Sequence, residues 1–283
     1  MKSILISGVS GYIGSSFNKW MKKTNKSNYK IDNINLKNAE WKSTDLSEYQ
    51  TILHLAAIVH SPLETTSSYY QVNRDLTIAL AKKAKEDGVK HFVFFSTLSV
   101  YGLHSGNIDR HTKENPTTDY GKSKLEAERG LIKLIDANFK VTIIRPPIVY
   151  GPEAPGNFTK MVKLFNFIPI FPKVENERSM IFIDTLSEFI YLVIKYEVTG
   201  IYVPQNKEYV STSSVFENYR RLNGKIGFLL PLLLTFRFYS TNPTLSKVFG
   251  SLTVSKEMSY IPFEYQKISF ERTISSLIEG EHF

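Results

Sequence analysis

The 283 residues contain no cysteine. Disulfides, thiolate metal sites and thiol nucleophiles are therefore excluded, and a reducing, cytoplasmic setting is expected. Long hydrophobic runs are missing too. The most apolar later stretch, Ile226 to Phe236, is about half the length of a membrane span and carries Pro231. It reads as a buried strand followed by a helix opening at Pro231, so no membrane span is expected and contact with a membrane surface is the lesser alternative. The apolar start, Met1 to Gly8, is too short for a signal peptide, is interrupted by glycine, and has no small-residue cleavage site after it. Repeats, low-complexity tracts, zinc-finger spacings and RNA-binding aromatic signatures are likewise lacking, which argues against nucleic-acid binding. Nothing suggests a metal site, and His54 and His60 read as turn residues rather than ligands.

What is present is ordinary for a globular chain: 42% hydrophobic and 22% charged residues, with length enough to bury a core. The net charge of +8 fits either solvated lysines or an acidic partner, for which a phosphorylated small molecule suffices.

Apolar runs alternate with helical patterns through the first half. Strands are expected at Ser3–Ser7, Tyr29–Asn35, Thr51–Ala57, His91–Ser96 and Lys140–Ile144, and helices at Gly11–Lys23, Val72–Glu86 and Tyr120–Asp136. Such alternation implies an α/β fold, a Rossmann-type doubly wound parallel sheet. Beyond Gly151, Pro152, Pro155, Pro169 and Pro172 break the pattern. The expected division is a dinucleotide-binding domain over 1–151 and a smaller C-terminal, substrate-binding lobe over 152–283. Residues about 180–205 would return to the first domain, with Asp184–Lys195 as a sheet-packing helix.

Between the first strand and first helix stands Gly8-Val9-Ser10-Gly11-Tyr12-Ile13-Gly14. Glycines there permit a tight turn and a close approach of backbone to pyrophosphate, which the helix N-terminus then faces. Tyr120 and Lys124, four residues apart, share a helix face. A phenol near pKa 10 is a poor base at neutral pH, but an adjacent ammonium would favour the phenolate and allow proton exchange with a hydroxyl or ketone.

The Gly-x-x-Gly-x-x-Gly spacing does not stand alone. With it come Asp45-Leu46, His54-Leu55-Ala56-Ala57, Asn73, Ser96-Thr97-Leu98-Ser99-Val100-Tyr101-Gly102, Tyr120-Gly121-Lys122-Ser123-Lys124 and Arg145-Pro146-Pro147-Ile148-Val149-Tyr150-Gly151-Pro152. In that order the set resembles the extended short-chain dehydrogenase/reductases, the epimerase/dehydratase family. The resemblance implies that Gly8, Gly11, Tyr12, Ile13 and Gly14 hold the dinucleotide. Asp45 and Leu46 would border the adenine, Leu55, Ala56 and Ala57 would pass beneath the cofactor, and Asn73, Ser96 and Pro147 would complete its site. Thr97, four residues before Tyr101, would bond the substrate oxygen and orient it toward Tyr120, with Ser96 the fallback. Ser99, chiefly structural, would stand at the substrate's edge. Lys124 would also hold the nicotinamide ribose. Two helices, Val72–Glu86 and Tyr120–Asp136, would form a homodimer interface.

At the end of the second strand NAD enzymes usually carry an acid. Here Asn35, with Lys37 two residues on, favours NADP(H), whereas the competing alignment with Asp32 restores NAD(H). Family dehydratases follow the threonine with Asp-Glu, but this chain has Leu98-Ser99, which leaves redox chemistry at one sugar carbon. Tyr29 to His60, Asn115 to Gly121 and Pro155 to Phe158 are similar to capsule-biosynthesis 4-ketoreductases that reduce a UDP-4-keto-6-deoxy-N-acetylhexosamine. A UDP-sugar 4-epimerase is the alternative, and a non-catalytic NADPH-binding sensor a distant third. Asn157 and Arg178 are the candidates for the UDP-sugar, Arg178 through a charge-assisted contact. Ile148 departs from the asparagine that relatives often place against the diphosphate.

Overall fold

The computed structural model describes residues 2–26, 28–59, 65–231, 250–280 and 282. The first half runs β1 (Lys2–Ser7), α1 (Tyr12–Lys23), β2 (Tyr29–Ile34), β3 (Thr51–His54), α2 (Thr66–Tyr69), α3 (Thr77–Glu86), β4 (His91–Phe95), β5 (Gly106–Ile108), α4 (Asp119–Ile132) and β6 (Lys140–Ile144). The remainder runs β7 (Ile148–Tyr150), α5 (Asn157–Leu164), β8 (Ile170–Lys173), β9 (Met180–Phe182), α6 (Ile183–Tyr196), β10 (Gly200–Tyr202), α7 (Thr212–Leu222), β11 (Phe228–Pro231), β12 (Leu252–Val254) and α8 (Phe270–Glu279).

Six strands form one parallel sheet in the order β2-β1-β3-β4-β6-β10. Parallel strands are covered on both faces, so their sequences run apolar without alternation. His91-Phe92-Val93-Phe94-Phe95 is such a strand, buried at every position. Only a short 3-10 turn, Glu40–Lys42, lies between β2 and β3. The order is therefore the 2-1-3-4-5 variant of the doubly wound sheet, extended by β10, and the chain direction reverses between β1 and β3. A ligand crevice opens beyond the carboxyl ends of strands at such a switch point. On one face α6 packs against α1. At the far edge β10 pairs with β6, Gly200 opposite Thr142.

Several boundaries differ from expectation. β3 stops at His54, and Leu55–Ala57 belong to the turn that follows. His54 is no turn residue: its ring is buried between the Ser7 hydroxyl at 2.6 Å and Thr77 Oγ1 at 2.9 Å. Burial, with a smaller push from the Lys124 charge, brings it down to about 3, so it stays neutral. His60 lies outside the described residues. The helix expected from Val72 begins instead at Thr66, capped by the Thr65 side chain, and passes through a π-helical segment, Tyr70–Leu76. α4 ends at Ile132 because the Asp136 carboxylate accepts from the backbone N–H of Asn138 and Phe139 and starts a turn. The stretch from Ile226 is not a buried strand. Among the described residues β11 pairs with β8 alone, and Phe228 and Leu230 are exposed. The helix expected from Pro231 falls outside the described residues.

Candidate active site

The glycine loop shows why glycine is required. Gly8 has φ +78°, and a Cβ there would stand 2.6 Å from the backbone nitrogen of Ala56. The ends of β1 and β3 thus touch backbone to backbone at the switch point. Gly14, inside α1, would bring a Cβ within 2.8 Å of Val9 Cα. α1 starts at Gly11 without a side-chain cap and with no acid in its first turn. Its free N–H groups and positive dipole end suit a phosphate. Tyr12 packs against Gly151, its buried hydroxyl unpartnered among the described residues. Ile13 and Leu55 back the loop from the core, and Ala56 and Ala57 are half-buried along the crevice. These residues fit a dinucleotide.

Other cofactor candidates lie further from the crevice surface. Leu46 is buried in the core and offers no side chain to an adenine, while Asp45, exposed, accepts from Ser47 N–H. That backbone bond, the largest influence on it, holds the Asp45 carboxyl below its usual range. Asn73 is fully buried: its amide accepts from Ile58 N–H at 2.8 Å and donates to Ile58 O at 2.9 Å, so it pins the turn rather than facing it. Ser96 is engaged by Glu128 and is not free to replace Thr97. Pro147 lines the cavity described below. Asn35 is the first residue beyond β2, its side chain accepting from Lys37 N–H. Asp32 lies within the strand, paired with Lys30 at 2.8 Å and accepting from the Tyr49 hydroxyl.

A cavity of about 570 Å³ gathers all five substrate candidates, Thr97, Ser99, Tyr120, Asn157 and Arg178. Thr97 caps the turn Leu98–Tyr101 by accepting from Ser99 N–H at 3.1 Å. Gly121 lets α4 approach that turn, since a Cβ would meet Ser99 O at 2.7 Å. The contact brings the Tyr120 phenol into hydrogen-bonding range of Thr97. Burial pushes Tyr120 up to about 12, against a smaller lowering by that bond. Lys124 is buried, donates to Phe95 O at 2.7 Å, and is driven down to about 7 by burial, against a smaller raising by Glu128. The expected lowering of Tyr120 by the Lys124 charge therefore does not operate here: burial dominates both groups, and the ammonium is turned to a carbonyl. Arg178 is buried, with one nitrogen bonded to Gly250 O at 2.6 Å and Nε unpartnered among the described residues. Asn157, exposed, opens α5 after Gly156. No Asp or Glu lines this cavity among the described residues.

Residue by residue, sequence reasoning did not reach the buried network behind the site. Glu128 accepts from Arg145 at 3.0 and 2.5 Å, and Arg145 also donates to the Tyr101 hydroxyl at 2.6 Å and to Glu114 at 3.0 Å. The signal was available: Glu128 is four residues past Lys124 on the same helix face.

Comparison with known proteins identifies the family. Residues 4–203 match the profile of the NAD dependent epimerase/dehydratase family. The chain belongs to that family. A UDP-glucose 4-epimerase from Vibrio cholerae is 33% identical over 221 residues, 68% of this chain and 66% of the relative, so the chain spans just under two thirds of that protein's length. Among solved epimerase/dehydratase folds, the UDP-glucuronic acid 4-epimerase of Bacillus cereus, in complex with NAD, superposes with TM-score 0.71 at 21% identity, covering 97% of this chain and 94% of that one. A dTDP-4-dehydrorhamnose reductase from Bacillus anthracis, in complex with NADP, superposes with TM-score 0.72 at 20% identity over 99% of this chain and 100% of that one. At those identities the likeness is one of fold.

Proposed function

We propose that this family member is a nucleotide-sugar oxidoreductase that moves one hydride and one proton at C4 of a UDP-sugar. The observation that carries the reading is the pairing of Thr97 with Tyr120 in a cavity lined by no carboxylate among the described residues. Dehydration needs an acid and a base beside the sugar, whereas ketone reduction needs one proton donor, and a phenol held near 12 is a donor at neutral pH. Thr97 orients the carbonyl oxygen, Tyr120 protonates it, and Lys124 holds the nicotinamide ribose. Arg178 Nε, which has no partner among the described residues, and the amide of Asn157 receive the diphosphate. When bound, the nicotinamide supplies the hydride. Residues 1–151 carry the cofactor, and 152–283, apart from about 180–205, carry the sugar nucleotide. Asn35 at the end of β2, with Lys37 beyond it, supports NADP(H), since neither repels a 2′-phosphate.

In full, the reading is reduction of a UDP-4-keto-6-deoxy-N-acetylhexosamine for a surface polysaccharide. A UDP-sugar 4-epimerase is the second reading, favoured by the similarity to the Vibrio cholerae enzyme. Purified protein given the 4-keto sugar and either NADPH or NADH, followed at the nicotinamide band, separates the two. Stoichiometric oxidation, faster with NADPH, supports the reductase. Interconversion of UDP-hexose epimers without net oxidation supports the epimerase. In either case Tyr120→Phe should lower kcat by roughly 10²–10⁴-fold with little change in KM. A variant turning over at the wild-type rate would remove Tyr120 from the chemistry.

A further inference from the structure

α5 has two ends with different surroundings. The first turns present Asn157, Phe158 and Met161 to the cavity. Its C-terminal end leads to six large apolar side chains left in water: Leu164 (51% exposed), Phe167 (81%), Ile170 (49%), Ile226 (72%), Phe228 (58%) and Leu230 (53%). They form one region. Phe167 N–H donates to Leu164 O at 2.9 Å, Ile170 and Phe228 are register partners of β8 and β11, and Phe228 N–H donates to Pro169 O at 2.8 Å. Side chains alternate across a strand, so Phe228 and Leu230 point the same way, and Ile226 stands two residues ahead of them. The inward face of this ribbon is already satisfied by Phe171, packed 5.2 Å from Phe165 and 5.1 Å from Phe216. A two-stranded ribbon with one face on the core should present polar side chains on the other. This one is apolar on both.

Cations surround the region. Lys160 and Lys163 stand four residues before Leu164 and Phe167, Lys173 is the register partner of Pro231, and Lys225 donates to Asn166 O at 3.3 Å. None of the four is ion-paired among the described residues. Glu217 is the carboxylate on the bordering surface, beside Arg220 and Arg221. The whole chain carries +8.

Exposed apolar side chains ringed by unpaired ammonium groups have the chemistry of a surface that lies on an anionic bilayer, with aromatic and aliphatic groups at the acyl boundary and lysines among the phosphates. The sequence argued against membrane contact because its apolar run is too short to span. Lying on a surface needs no span. We propose that the exposed surface built on the C-terminal end of α5 and on β8 and β11 docks this protein on an anionic phospholipid surface.

Co-sedimentation with vesicles tests it, using phosphatidylcholine alone and phosphatidylcholine mixed with phosphatidylglycerol. The full chain should pellet with the mixed vesicles only, and added salt should release it. Replacing Phe167→Ser together with Ile226→Ser should weaken binding at least about tenfold. Lys163→Gln with Lys225→Gln should weaken it by about 25-fold, about fivefold for each cation removed. None of these residues lines the cavity, so turnover of soluble substrate and the circular dichroism spectrum should stay at wild-type values. These also report folding independently of which sugar reaction is correct. Failure of the wild type to bind mixed vesicles would overturn the proposal. So would binding by the serine variant equal to the wild type, or a face that proves to bury itself in a dimer, read as a halved mass for that variant in light scattering.

Discussion

Lys124 has been taken out of water without a carboxylate partner in contact, and its chemistry follows from that. The unfolded chain carries this lysine at about 10.4, the folded chain at about 7. Between those values the unfolded state binds more protons, so stability rises with pH across that window, and below about 7 the full burial penalty applies. The contribution of one such group is at most about 1.4 kcal/mol per pH unit. Lys124→Met should therefore flatten the slope of unfolding free energy between pH 7 and pH 9, roughly the middle of that window, as read by urea denaturation. Equal slopes in the two proteins would mean that the lysine is charged in the fold. Tyr120 moves the opposite way for the same reason, since burial disfavours its anion as it disfavours the lysine's cation.

At the scale of elements, the site depends on how α4 is fastened to the ends of β4 and β6. Glu128 on α4 joins Arg145, just past β6, and Ser96, just past β4, in a contact with almost no exposure to water. Removing one partner strands the other charge. Glu128→Gln is expected to cost about 3–5 kcal/mol in urea denaturation, and Glu128→Gln with Arg145→Met clearly less than the two single changes added together. Additive costs would show that the pair is not coupled. The network also explains why Thr97 rather than Ser96 faces the cavity: Ser96 is drawn under the sheet edge by Glu128, and side-chain alternation turns its neighbour outward.

Across the whole molecule, the sheet order puts the glycine loop at the switch point between β1 and β3, where a dinucleotide would lie beyond the carboxyl ends of the strands. NADPH at about one hundred times its Kd should raise the unfolding free energy by about 2.7 kcal/mol. Gly8→Ala should abolish that gain and, by forcing a Cβ against Ala56 at positive φ, cost at least about 1 kcal/mol by itself. An alanine variant still stabilised by cofactor would place the dinucleotide elsewhere.

Composition, the strand–helix alternation and the ordered motifs were enough to determine the parallel sheet, the glycine loop and the Tyr120–Lys124 spacing. Each depends on local backbone geometry or on residues close in sequence. Helix ends were less legible: α4 stops where a side chain, Asp136, captures the backbone, and the helix before α3 starts early through a π-helical turn. Only the tertiary structure decided which groups share an environment. Leu46 goes to the core, Asn73 to a backbone turn and Ser96 to a buried carboxylate, while Arg178 keeps beside the cavity a nitrogen with no partner among the described residues. Burial and partners are set by segments distant in sequence, and desolvation, the largest influence on Tyr120 and Lys124 alike, exists only once those segments pack.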